Sequence, residues 1–258
     1  MEKKKTTLMY KIYKWILIKI FGTPTIDGME NLPKEPSIIV ANHVQMAGPI
    51  YCELFFPIDK YIWSASEMMH LKQVPAYAFE DFWSRKPKYT KLWFKPLSYI
   101  IAPTSVCIFN NAHTIGVYHD EKILFTFKNT VKKLSEGYNI VIFPEYGKEH
   151  NNILYDFRDK FIDVARLYHK KTGKELKFVP MYIAPTLKKM TIGKPIQFNA
   201  SENIDTERSR IKNYLMKEIT DVAVNMPEHT VIPYWNIGKK NYPKNKPLKE
   251  NTNEKAGC

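Results

Sequence analysis

Two stretches of this chain set groups able to move protons at the ends of buried strands. In Ser37-Ile38-Ile39-Val40-Ala41-Asn42-His43-Val44-Gln45, four apolar residues run straight into Asn42-His43. Pro33 and Pro36 precede the run, so it reads as a short buried strand. About a hundred residues later, Asn139-Ile140-Val141-Ile142-Phe143-Pro144-Glu145-Tyr146-Gly147-Lys148 is a second buried strand, running into Pro-Glu and then a glycine and a lysine. The unperturbed pKa of an imidazole suits His43 to general-base work near neutral pH. A rigid strand end is also where reactive groups of α/β folds tend to lie.

The elements that must position these groups follow from hydrophobic patterning. Further strands are expected at Lys60–Ser64, across 106–118, at Phe178–Ile183 and at Thr191–Ile196. Helices are expected over 49–56, over Thr126–Glu136 with Gly137 closing it, over Asp156–Lys171, and over 205–226. The last is the clearest, with Ile211, Tyr214, Leu215, Ile219, Val222, Ala223 and Met226 recurring at three- and four-residue steps. Strands alternating with helices predict a three-layer α/β fold, a largely parallel sheet flanked by helices. Residues 67–109 cluster aromatics without clean periodicity and are broken by Pro75, Pro87, Pro96 and Pro103. Such a stretch suits the lining of an apolar tunnel, a bilayer-facing surface or an irregular part of the core.

The 258 residues, 44% hydrophobic and 14% aromatic, suffice for a sizeable core. Cys52, Cys107 and Cys258 are odd in number and scattered, which excludes a disulfide framework or zinc spacing and points to a reducing, cytoplasmic setting. Of the net charge of +13, most sits at the two ends, with six lysines in residues 1–19 and six in 238–258. Basic flanks suit an anionic membrane surface, at about 1 kcal/mol per lysine. With the charge at the ends and no recognised motif, no nucleic-acid partner is expected. Residues 6–21 read as a helix ended by Gly22 and Pro24, with Lys11, Lys14 and Lys19 in an arc of about 140°. Three lysines interrupt it too often for a spanning helix, so an amphipathic interfacial helix is expected. The domains predicted are 1–24 as the membrane-surface helix, 25–237 as the α/β domain, and 238–258 as a basic disordered tail.

Order, spacing and content of these blocks resemble the glycerophospholipid acyltransferase family, of the lysophosphatidate acyltransferase type. The family's blocks are Asn-His-x-x-x-x-Asp, a middle block ending in Arg, Phe-Pro-Glu-Gly-Thr-Arg, and a late apolar-Pro strand followed by Ile-Gly-Lys-Pro. Here they match Asn42-His43, Ile115–His119, Phe143-Pro144-Glu145 and Val179-Pro180 with Ile192-Gly193-Lys194-Pro195, over roughly residues 30–230. The motif aspartate falls on Gly48, the middle arginine near His119, and Glu-Gly-Thr-Arg becomes Glu145-Tyr146-Gly147-Lys148. The resemblance implies a peripheral enzyme on the cytoplasmic face of the membrane. It would move a fatty acyl group from acyl-CoA or acyl carrier protein to a lysophospholipid acceptor, with no metal or redox cofactor.

By that resemblance the catalytic residues are His43 and Glu145. Substrate would be held by Asn42, Gln45, Tyr118, His119, Pro144, Gly147 and Lys148. In the family the aspartate fixes the imidazole tautomer, and Gly48 supplies no carboxylate. Three substitutes stay open at this stage: a carboxylate elsewhere, such as Glu145 or Glu149, a backbone carbonyl, or no orienter. Gln45 is a further candidate to hold the ring by hydrogen bonding. The alternative function is a catalytically impaired relative that binds lipid.

Overall fold

The computed structural model describes residues 7–83, 89, 91–118 and 122–246. The chain opens with α1 (Leu8–Phe21) and β1 (Thr25–Asp27), followed by β2 (Ile38–Ala41), α2 (Ala47–Phe55) and β3 (Lys60–Ala65). Next come α3 (Val74–Ala78), α4 (Lys91–Asn111), β4 (Thr114–Val117), α5 (Ile123–Ser135) and β5 (Asn139–Ile142). A hairpin of β6 (Glu145–Glu149) and β7 (Tyr155–Phe157) leads to α6 (Asp163–Thr172) and β8 (Lys177–Ala184). β9 (Lys189–Ile192), β10 (Ile196–Gln197) and α7 (Ile204–Asn225) complete the regular elements.

The main sheet runs β1-β9-β8-β2-β5-β3-β4, with β10 added alongside β8. β8, β2, β5, β3 and β4 are mutually parallel, while β9 and β10 run antiparallel to β8. The central strands are buried on both faces, which is why they read as continuous apolar runs. Their side chains alternate between two cores. Ile38, Val40, Ile140, Ile142, Phe178 and Tyr182 join the core under α5, α6 and α7, where Phe127, Val131, Ile211, Leu215 and Ile219 meet them. Ile39, Ala41, Val141, Val179, Met181 and Ile183 face the other way, onto Tyr51, Cys52 and Phe56 in and beside α2. Helix layers on both faces of a mostly parallel sheet are the three-layer α/β fold. All five parallel strands point the same way, so Asn42, Tyr118 and Phe143 leave the sheet at one edge.

Several elements differ from the sequence reading. Residues 91–111 are helical, and only Thr114–Val117 of the 106–118 stretch is strand. α4 shows no amphipathic period because its outer face is apolar too: Leu92, Trp93, Tyr99 and Ile100 are all exposed, Trp93 at 80%. Pro96 and Pro103 lie on that outer face, which leaves the carbonyls they free open to their surroundings. Asp156–Lys171 is not one helix; Tyr155–Phe157 is a strand and α6 begins only at Asp163. Phe157 and Phe161 are buried at helical spacing from Val164 by coincidence of a turn. Thr191–Ile196 is two strands, broken at Gly193-Lys194-Pro195. Part of the expected tail is built into the body. Asn245 is fully buried, accepts the His229 N–H and donates to the Ala223 carbonyl, and Val231 donates to Pro243. Residues 1–6 and 247–258 lie outside the described residues.

α1 matches its expectation as a helix, with Thr7 capping the Tyr10 N–H and Gly22 (φ +67°) ending it. Its inner side is fixed by Tyr10, whose hydroxyl donates to Glu53 of α2 at 2.5 Å, and by Tyr13, which meets Thr104 of α4 at 3.2 Å. Leu8, Met9, Ile12, Trp15, Ile16 and Ile20 point outward, Trp15 at 62% exposure. α4 is long and apolar enough, by length and composition, to cross a membrane. It is nevertheless tied to the body through Ser105, which donates to the Met68 carbonyl at 3.2 Å, and runs beside α1.

Candidate active site

The site begins where β2 stops pairing. The Asn42 side chain is buried and imitates one more rung of the ladder to β8. Its amide donates to the Ile183 carbonyl at 3.0 Å, and its oxygen accepts the Ile183 N–H at 2.7 Å. Asn42 is therefore a splice between strands and not a group open to substrate. One residue on, the His43 N–H donates to Glu145 Oε1 at 2.6 Å, and the other oxygen of that carboxylate accepts the Tyr155 N–H at 2.8 Å. Burial raises the Glu145 pKa to about 7, against the pull of the two N–H donors. Both of these bonds go to main chain, so Glu145 positions the backbone of His43 and does not orient its ring.

The ring is oriented by the turn that follows. Val44 (φ +49°) and Gln45 (φ +55°) both adopt left-handed backbone, at a cost of roughly 1–2 kcal/mol per residue for L-amino acids. Val44 is β-branched, which makes its conformation a genuine outlier. The turn brings the Gln45 carbonyl to 2.7 Å from His43 Nδ1. A carbonyl can only accept, so the hydrogen of the neutral ring is on Nδ1, and Nε2 keeps its lone pair. The ring is partly exposed, edge-on to Phe143 and Tyr234 with centroids 5.5 Å away in each case. Desolvation lowers its pKa below the usual histidine value, opposed by the bond to Gln45. His43 is thus a neutral base of defined tautomer near pH 7.

Gly48 closes this turn directly against backbone. A Cβ there would lie 2.3 Å from the His43 carbonyl oxygen and 3.1 Å from that of Asn42. The curled turn has no room for a side chain at this position, and the same curl presents the Gln45 carbonyl. Of the three substitutes open at the sequence level, the structure uses the backbone carbonyl. Glu149 is exposed and accepts from the Tyr155 hydroxyl at 2.7 Å.

The remaining sequence-predicted residues divide. Pro144 is buried, and its carbonyl accepts the Arg158 N–H at 2.9 Å. Gly147 lies in the irregular part of β6, and Lys148 beside it is exposed. Tyr118 sits at the end of β4, three strand spacings from β2 and so about 14 Å across the sheet. Its N–H donates to Thr126. His119 lies outside the described residues. The Gln45 side chain, expected near the ring, instead donates to the Trp235 carbonyl at 3.2 Å and to the Tyr242 hydroxyl at 3.0 Å. Tyr234, Trp235 and Tyr242 are site residues that sequence reasoning missed. Trp235 also donates from Nε1 to the Gly147 carbonyl at 3.3 Å, joining this segment to β6. The aromatic pair after Pro233 was the one available signal.

No family model matches the chain, and no curated protein does either. Among solved structures it is similar to the 1-acyl-sn-glycerophosphate (LPA) acyltransferase PlsC of Thermotoga maritima. The identity is 14% and the TM-score 0.46, over 83% of this chain and 78% of that one. A likeness of that degree carries no weight for mechanism, which rests on the residues above.

Two outcomes follow from this geometry. Gly48→Ala and Gly48→Asp should each lower stability in urea by about 1–3 kcal/mol, through overpacking against backbone. Neither should gain activity, and a Gly48→Asp protein of wild-type stability would show that the turn has room for a carboxylate. The Glu145 carboxyl has a folded pKa, about 7, above its ordinary 4.5. Its contribution to stability is therefore complete below about pH 4.5 and is lost as pH rises through 7. Compared with Glu145→Gln, wild type should lose up to about 3 kcal/mol between those limits, read from urea midpoints across pH. A difference independent of pH would mean that Glu145 titrates normally.

Proposed function

We propose that the protein is an O-acyltransferase that moves a fatty acyl group from acyl-CoA or acyl carrier protein to a lysophosphatidate-like acceptor at a membrane surface. One observation carries the reading: His43 is a strand-end histidine whose Nδ1 hydrogen is engaged by Gln45, leaving Nε2 free to accept a proton. Nε2 takes the proton of the acceptor hydroxyl as its oxygen attacks the thioester carbonyl carbon. The C–S bond then breaks, and the imidazolium returns the proton to the departing thiolate, leaving an ester and a thiol.

The carbonyl orienter has a definite consequence for rate. In the Ser-His-Asp template, loss of the carboxylate lowers turnover about 10⁴-fold because the tautomer becomes wrong. Here the tautomer is kept and only the stabilisation of the imidazolium is weaker. Turnover slower than with a carboxylate, but well above the wrong-tautomer limit, is expected. Lys148, exposed on β6, and Arg158, whose guanidinium lies 5.5 Å from the Tyr146 ring centroid, supply cations for a phosphate-bearing acceptor.

A bilayer containing anionic lipid is the partner that best fits the outer faces of α1 and α4. Their exposed apolar residues, with Trp15, Trp93 and Tyr99, are interleaved with Lys11, Lys14, Lys19, Lys91 and Lys95. A peripheral position on the cytoplasmic face of the membrane is part of this proposal, and the unpaired, scattered cysteines are in keeping with it.

Purified protein offered both donors should acylate a lysophospholipid, and His43→Ala should lower that turnover by about 10²-fold or more with the fold intact. No transfer to a broad acceptor panel would remove the enzyme reading and leave lipid binding in its place. Ile12→Glu/Trp15→Glu and Trp93→Glu/Ile100→Glu should each reduce sedimentation with anionic vesicles. Salt near 1 M, where screening acts over about 3 Å, should do the same. Retained sedimentation of the α4 pair alone would restrict the membrane face to α1.

A further inference from the structure

The Gln45 carbonyl can fix the ring only while Val44 and Gln45 stay in left-handed backbone. Two features hold the turn there. Val44 is buried in the α2-side core, and the Gln45 amide is held by the C-terminal segment. A primary amide has two N–H hydrogens, and two acceptors lie within reach of this one, the Trp235 carbonyl and the Tyr242 hydroxyl. Both acceptors lie in a segment that is itself fastened at several points. Trp235 donates to Gly147, Val231 donates to Pro243, and Asn245 is buried against the end of α7. The hydrogen bonds of Asn245 and Pro243 fix the chain on either side of residue 244, a few residues beyond Tyr242, and Tyr242 and Trp235 in turn hold the Gln45 side chain whose carbonyl meets the His43 ring.

We propose that Gln45 and Tyr242 are positioning residues, whose side chains clamp the turn so that the Gln45 carbonyl remains on His43 Nδ1. The C-terminal segment is then a required part of the site and not a cover laid over it. The residue types suit the task. Glutamine offers two donors, whereas glutamate would offer none and would set a carboxylate against the Trp235 carbonyl. The tyrosine hydroxyl accepts from Gln45 while keeping its own hydrogen for another acceptor. The kinetic part of this inference rests on the acyl-transfer reading; the structural part does not.

The test uses full-length protein with ¹⁵N-labelled histidine, and the His43 ring signals are assigned by their loss in His43→Ala among the seven histidines. Above about pH 8, where the ring is neutral, wild type should show a single tautomer with hydrogen on Nδ1. Gln45→Ala should give nitrogen shifts averaged between the two tautomers, and Tyr242→Phe a smaller displacement in the same direction. The kcat for acyl transfer should fall on the order of 10²-fold in Gln45→Ala, as for a small misplacement of a catalytic group, with KM changed less than about twofold. Unchanged ring signals in both variants would overturn the proposal, and lowered urea midpoints alongside them would leave the contacts merely stabilising. If Gln45→Ala does not fold, Tyr242→Phe decides by itself, since it removes one hydroxyl from a half-buried ring. Absence of transfer by wild type would refute the acyl-transfer reading, while the ring signals would still decide the clamp.

Discussion

Because the Glu145 carboxylate is buried and receives the main-chain N–H groups of both His43 and Tyr155, the end of β2 and the β6–β7 hairpin behave as one piece. Every other feature of the site depends on this link. It fixes where the chain leaves the sheet, and so where the turn from Val44 to Gly48 must close. A buried carboxylate without donors would cost far more than the two hydrogen bonds return, so the two N–H groups are as necessary to Glu145 as it is to them. Asn42 completes the arrangement on the other side by pinning the same strand end to β8.

From that anchorage the chain has little freedom. Gly48 packs against the His43 carbonyl, two left-handed residues precede it, and the carbonyl of the second comes back to the ring. Backbone strain of this kind persists only where surrounding structure over-determines it. Here the determinants are the buried Val44 side chain and the amide of Gln45 held by the C-terminal segment. A carbonyl partner orients the ring without supplying charge. Electrostatic support for an imidazolium is thus the property in which this site differs most from a histidine–carboxylate pair.

The apolar outer faces of α1 and α4 are connected mechanically to this site. α2 starts at Ala47, inside the site turn, and carries Glu53, which accepts from Tyr10 of α1. The Tyr10–Glu53 hydrogen bond therefore joins α1 to the His43 turn through one nine-residue helix. Both helices expose apolar surface well beyond what isolated surface residues would explain.

The local signals were sufficient wherever burial imposes a simple period. The β2, β5 and β8 strands were legible as apolar runs because both of their faces are covered, and α7 because one of its faces repeats every three to four residues. α4 was illegible for the converse reason: with apolar groups on its inner and outer sides, its sequence carries no contrast to read. The positions of His43 and Glu145 at strand ends were likewise visible in the chain itself. What orients the histidine was not, because a backbone carbonyl has no residue-type signature and a positive φ at valine or glutamine leaves no mark in composition. Gly48 could be read only as a missing aspartate until its neighbours were placed around it. Tyr234, Trp235 and Tyr242 reach the site from nearly two hundred residues away through contacts no local pattern encodes. Sequence by itself determined the layers and the place of a histidine at a strand end, since these follow from side-chain periodicity and type. The tertiary structure alone decided the tautomer, since that follows from where one carbonyl oxygen points.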